Sequence, residues 1–227
     1  MFNNIHSSAA EMASQTLVEE GSCRFPSFSS ADAVTLGLSI RKRFRGTSRH
    51  VKAGKGLVIS IQTIAGHPLF CCTVGDLGHL SGVGDVSLDS WSVIEGMINV
   101  VKRTGHSSYY VEKGMAAMGK TAKQMGLQGE FRVNGGAFPI WLENAPCCPI
   151  AVVACYSGSS QDDHHLVATT IRDYLKKILR NGSPSPPNEP IPSMAVPAGS
   201  SDQASSPAEG GQESSSSTDQ PVPSEEF

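Results

Sequence analysis

No Lys or Arg occurs among residues 1–20 or 181–227, no two cysteines stand in a C-x-x-C clip, and no apolar run reaches the ~18 residues that a membrane-spanning helix needs. Each absence removes a class of function. Without an apolar span, or the basic start and apolar core of a secretory signal in the first residues, the chain is expected to be cytoplasmic, with no membrane insertion. Without C-x-x-C spacing, the six cysteines (Cys23, Cys71, Cys72, Cys147, Cys148 and Cys155) make no ordinary zinc clip and are expected to be mostly buried, reduced thiols. Neither an H-E-x-x-H pair nor a nucleophile elbow is present, so zinc-protease and serine-hydrolase chemistry are unsupported.

What is present is unevenly spread. All 18 Lys and Arg lie within residues 21–180, where they face 11 of the 21 acids, so a mildly acidic chain contains a basic centre. That balance favours anionic small molecules, an acidic protein partner or the chain's own tail, and scattered surface lysines would give the same total. The basic run Arg41, Lys42, Arg43, Arg45 has no interleaved aromatics and closes a helical pattern, which argues for a helix end offset against its dipole and against nucleic-acid binding.

Three regions follow from composition. Residues 1–21 are polar with no strong period and are expected to be a flexible N-terminal extension. Residues 22–180 carry the periodic segments of one domain. Residues 181–227 are rich in Ser, Pro, Gly and Glu, cannot bury a core, and are expected to form a disordered acidic tail.

Within the domain, Ser29 or Ser30 caps a helix with Ala33, Leu36, Ile40 and Phe44 on one face. Leu57–Ile64 and Leu69–Val74 read as a hairpin turning at Ala65-Gly66-His67-Pro68, followed by a loop from Gly75 to Leu88. Asp89 caps a helix carrying Trp91, Ile94, Ile98 and Val101, which ends at Gly105. A serine at 107 or 108 caps the next, with Val111, Met115, Met118 and Ala122. Phe131–Leu142 reads as an interrupted strand, and Cys147–Tyr156 as a central strand buried on both faces. Ser160 with Asp163 forms a capping-box pattern for a final helix bearing Val167, Ile171, Tyr174, Leu175 and Ile178. Strands and helices do not alternate as a Rossmann sheet requires, so the order predicts an α/β (α+β) fold with a mainly antiparallel sheet.

Several constellations could carry chemistry. Gly114–Thr121 matches G-x-x-x-x-G-K-T, but Met-Ala-Ala-Met prefers helix and no strand precedes it, so the setting of a phosphate loop is missing. The pair Gly135-Gly136, followed by Pro139, marks a bulge or a bend on a strand start or edge, which serves a pocket wall or packing alone. His106, the glycine pair and Asp163-His164-His165 all sit at element junctions. An imidazole there could ligate iron or move a proton, or else simply pack or be solvated. Cys148-Pro149 is a dipeptide of haem-responsive thiolate sites and equally an ordinary turn before a strand.

Three ordered blocks, Gly105-His106-Ser107-Ser108-Tyr109, Gly135-Gly136-Ala137-Phe138-Pro139-Ile140 and Asp163-His164-His165-Leu166-Val167, together resemble the haem-degrading-domain family. This is the group related to GlcG and HbpS, in its bacterial and fungal branch, and the likeness runs from about Ser22 to Leu179. The resemblance implies a profilin-like or PAS-like α/β/α sandwich, a homo-oligomer, and haem as ligand or substrate. It marks His106, Ser107, Ser108, Asn134, Gly135, Gly136, Phe138, Pro139, Asp163 and His164 as cofactor-binding positions, with His106 the metal-facing one. Asn134 stands where that branch usually has histidine, and an amide can hydrogen-bond but neither ligates iron comparably nor becomes a cation. Two other functions remain open beside haem binding or breakdown. One is a non-enzymatic oligomeric binding or adaptor protein, the other an enzyme for an anionic metabolite.

Overall fold

The computed structural model describes residues 8–47, 56–75 and 86–182. Most of the predicted loops 46–56 and 75–88, the first seven residues, and the tail beyond 182 lie outside them. The described elements run α1 (Ala9–Ser22), β1 (Arg24–Phe25), α2 (Ser30–Gly46), β2 (Leu57–Thr63), β3 (Pro68–Val74), α3 (Leu88–Thr104), α4 (Ser108–Met118), β4 (Ala137–Leu142), β5 (Ala151–Tyr156) and α5 (Ser160–Gly182).

Five strands form one sheet in the order β1-β4-β5-β2-β3, antiparallel except where the two residues of β1 run parallel to β4. Strand alternation divides the core. Ile59, Ile61, Phe138, Ile140, Val153 and Cys155 face α2 and α5, while Val58, Ala137, Val152 and Ala154 face α3. A smaller cluster of Val100, Val111, Met115 and Leu127 joins α4 to the outer side of α3. The sandwich expected from the sequence is therefore the fold observed. Its central strand β5 is buried on both faces, and each fully buried residue such as Ile171 contributes roughly 2 kcal/mol relative to exposure. None of the described helices is long and apolar enough to cross a membrane.

Local chemistry set the boundaries differently in six places, the first being β5, which begins at Ala151 rather than Cys147 because residues 147–150 still turn the chain. α3 is capped by Ser87, whose hydroxyl accepts the Ser90 N–H, and Asp89 sits in its first turn. α4 stops at Met118 because Gly119 takes φ +61, short of Ala122. That also settles the phosphate-loop match: Gly114–Met118 is helix, and its Gly119-Lys120-Thr121 stands at a helix C-terminus, where carbonyls rather than N–H groups point outward. β4 starts only at Ala137, so Phe131–Gly135 approaches it without ladder bonds. The Ser160–Asp163 box is replaced by Ser159, whose carbonyl accepts the Asp163 N–H at 2.8 Å. And residues 9–21, expected as part of a flexible extension, form all but the last residue of α1, capped by a reciprocal pair of bonds between Ser8 and Glu11.

Two features of the sheet concern the site. Cys155 donates its N–H to Gly136 O at 3.0 Å, so the nitrogen of Pro139, three residues on, faces away from β5 and its missing donor breaks no bond there. The thiols divide evenly. Cys23 and Cys155 are buried and Cys72 half-buried, but Cys71, Cys147 and Cys148 are exposed, contrary to the expectation of mostly buried thiols, because they occupy the edge strand β3 and the β4–β5 turn.

Candidate functional site

The site begins where α3 ends. Gly105, at φ +75, donates its N–H to Val101 O at 2.8 Å, turning the chain so that His106 emerges between two helices. Ser107, fully buried, then caps α4 by accepting the Tyr110 N–H at 3.2 Å. Ser108, also fully buried, accepts the Ala137 N–H at 3.0 Å and so ties the start of α4 to the start of β4.

Six of the positions marked in the sequence meet in that junction, packed on one another. Gly135 donates its N–H to Glu112 Oε2 at 2.9 Å and lies against Tyr109 and the Ser160 carbonyl. Gly136, at φ +136, presses on the Cys155 carbonyl and on Asp163. His164 stacks on Tyr109, with ring centres 4.5 Å apart and 13° between planes, and tilts toward Phe138 at 6.1 Å. Pro139 continues β4 beyond them, and Asn134 is half-buried on the approach.

The electrostatics of this junction are uneven. The Asp163 carboxylate accepts N–H bonds from Ser157 (2.9 Å) and Ser159 (3.3 Å) and the Ser157 hydroxyl at 2.5 Å, yet burial outweighs these bonds and pushes its pKa up to about 6. Glu19 moves the other way. A hydrogen bond from His164 Nε2 at 3.2 Å, joined by the Arg172 guanidinium, holds its carboxyl below the usual range. His164 Nδ1 is buried without a hydrogen-bond partner among the described residues.

His106 faces elsewhere. Its Nδ1 lies 3.0 Å from Glu20 Oε2, while Glu20 Oε1 accepts the Ser107 N–H at 2.9 Å, and the Glu20 carboxylate is 5% exposed. The ring leans on Tyr110 at 4.8 Å, and its Nε2 makes no hydrogen bond among the described residues. It borders a cleft of about 430 Å³ lined by Arg103, Tyr110, Met115, Met118, Met125 and neighbours. The spacing His106, Tyr110, Gly114, Met118 places the lining on one side of α4, so the cleft follows that helix for about 15 Å. Arg103 is the cation on this apolar lining. Among the described residues, no group of three or more His, Cys, Asp or Glu is placed to hold a metal ion.

The structure thus sorts the marked residues into a packed junction (Ser108, Gly135, Gly136, Phe138, Asp163 and His164) and a cleft residue, His106, with Ser107 between them. Cys148, in the exposed β4–β5 turn, borders neither. Sequence reasoning missed Glu19, Glu20, Arg103 and the methionine lining. The signals for them were weak ones: Ser8 and Glu11 three apart ahead of a helix, and the four-residue spacing from His106 to Met118.

Fold and cleft together define an α/β sandwich domain that carries its candidate ligand site outside the sheet, along a surface helix. The chain belongs to the family described as haem degrading protein HbpS-like, which residues 28–172 match. A UPF0303 protein of Schizosaccharomyces pombe is 31% identical over 176 residues, covering 76% of this chain and 88% of that protein. Another UPF0303 protein, of Psychromonas ingrahamii, is 30% identical over 97 residues, covering 41% and 59%. Among solved structures, the Ybr137w protein shares the fold with a TM-score of 0.59 at 22% identity, over 74% of this chain and 89% of that one.

Proposed function

We propose that this protein binds haem in the cleft beside α4, with His106 Nε2 facing the iron. The observation that carries the reading is the donor set. An imidazole anchored through Nδ1 leaves Nε2 without a hydrogen-bond partner among the described residues, beside a cleft lined mostly by thioether, aryl and alkyl groups, which suits a flat apolar macrocycle. Arg103 supplies the charge that a propionate needs. Membership of a family described as haem degrading supports the same choice of ligand. Bound haem would supply iron redox and oxygen chemistry; the chain's own part is to ligate, to orient through Arg103, and to exclude water with Met115, Met118 and Met125. Ser107, Ser108, Gly135, Gly136, Phe138, Pro139, Asp163 and His164 support the site by fixing the start of α4 against β4 and α5. Asn134, outside the cleft lining, leaves this ligation intact even where related chains carry histidine.

The test is a hemin titration of the purified chain. A Soret shift at micromolar hemin is expected, with His106→Ala weakening binding at least tenfold. A wild-type spectrum that stays that of free hemin, or an unchanged shift in the variant, overturns the reading.

The protein is also proposed to self-associate. β3 is an edge strand, and Pro68–Val74 carries no charged side chain to discourage pairing. Beside it on α2, Val34 and Leu38 are 42% and 47% exposed, an apolar flank that a second copy would cover. Native mass measurement at micromolar concentration is expected to give a dimer or larger, and a monomer there sinks the proposal.

A further inference from the structure

The last turn of α1 holds Glu19 and Glu20 and no basic residue. Acids at a helix C-terminus oppose its dipole, so local energetics argue against them, and such a conflict points to a role set by tertiary partners. The partners lie on other elements. Glu19 meets His164 and Arg172 of α5, and Glu20 meets His106 and the Ser107 N–H at the start of α4. α1 also packs along α4, where Tyr109 Oη lies 3.6 Å from Met12 Sδ, but it buries few side chains of its own. Its only other buried residues are Ala13 and Thr16, and Leu17 and Val18 are 43% and 74% exposed. α1 also precedes residues 28–172, the span that matches the family.

We infer that Glu20 is a positioning residue for His106, and that through it α1 is part of the cleft and its docking is coupled to ligand binding. The argument is one of protons. An ionised carboxylate only accepts, so Glu20, taking the Ser107 N–H on Oε1, requires the proton of His106 on Nδ1 to serve Oε2. In the neutral imidazole the Nε2 lone pair is then left free beside Arg103 and Tyr110, where a metal or a hydrogen-bond donor can use it. If α1 lifts away, the imidazole is free to take either tautomer and to rotate. By linkage, whatever factor α1 docking adds to ligand affinity, the ligand adds to α1 docking. The identity of the ligand rests on the haem reading; the tautomer does not.

Glu20→Gln separates these points in the full chain. Glutamine has one acceptor and one donor end. With its oxygen kept by the buried Ser107 N–H, it turns NH2 toward His106 Nδ1, which must then accept, moving the proton to Nε2. Long-range proton–nitrogen-15 spectra at neutral pH, assigned with His106→Gln, are expected to show Nδ1–H in the wild type and Nε2–H in Glu20→Gln. A wild-type Nε2–H tautomer, or the same tautomer in both proteins, overturns the inference, and the wild-type result decides even if the variant does not fold. With hemin as probe, Glu20→Gln is expected to bind about tenfold more weakly, and hydrogen exchange of α1 amides in the wild type to slow several-fold on loading. Hemin that binds without slowing α1 overturns the coupling. Hemin that does not bind overturns the haem reading and the coupling to it, while the tautomer still decides the role of Glu20.

Discussion

Gly136→Ala is expected to lower stability by about 2–6 kcal/mol and to melt far below the wild type. An added methyl carbon would stand 2.3 Å from the Cys155 carbonyl oxygen and 3.2 Å from Asp163 Cβ, at a φ of +136 that L side chains rarely adopt. Relief requires moving β5 or the start of β4, and either breaks the 3.0 Å bond from Cys155 N to Gly136 O at the centre of the sheet. Backbone strain of about 1–3 kcal/mol and overpacking of about 1–3 kcal/mol combine against a typical total stability of 5–15 kcal/mol. Gly135→Ala is nearly as severe, with the new carbon 2.3 Å from Ser160 O and 2.6 Å from Tyr109 Cδ2. Gly114→Ala is the control. Nothing lies within 4 Å of its added carbon, so in mid-helix it should raise stability by up to about 1 kcal/mol. Circular-dichroism melts of the three variants check the order, and a Gly136→Ala protein that melts like the wild type would refute the close packing described.

A second large effect concerns pH. Asp163 has its folded pKa raised from 3.8 to about 6 by burial. A raised folded pKa means that the native state binds the proton more tightly than the unfolded chain, so this group's contribution is fully present below about pH 4 and is lost as pH rises through 6. Wild type should therefore gain on Asp163→Asn as pH falls from 7 to 4, by about 3 kcal/mol at most for a shift of this size. Glu19 has the opposite sign. Its lowered pKa gives stability that is present near neutrality and lost on further acidification. The wild-type curve alone mixes the two, so the measurement is the difference between wild type and Asp163→Asn in urea at several pH values. A difference that is flat with pH would refute the buried, proton-binding carboxyl.

The two predictions rest on neighbouring residues that were legible in the sequence to different degrees. The glycine pair announced itself, since adjacent glycines before a proline in a β-rich run signal a special backbone. Asp163 was placed at a helix start but in the wrong role. A capping box with Ser160 is a local pattern, whereas the carboxylate actually bends back to Ser157 and Ser159, where the end of β5 brings those donors. Cap identities elsewhere shifted by only a residue or two, because several serines near a helix start offer equivalent local bonds.

By itself the sequence determined what local periodicity and turn chemistry can encode. This covers the hairpin of β2 and β3, the buried strand β5, the helices from α2 to α5, the turn at Gly105 that presents His106, and the absence of a phosphate loop at Gly114–Thr121. Tertiary structure decided the rest. α1 buries too little apolar surface to show a period, and its place is set by packing along α4 and by Glu19 and Glu20 meeting histidines 145 and 86 residues away. Contacts across such separations leave no trace in a local window, since each partner alone reads as a solvated charge. Only the fold brings Glu20 to His106 Nδ1 and sets His106 at the edge of the cleft.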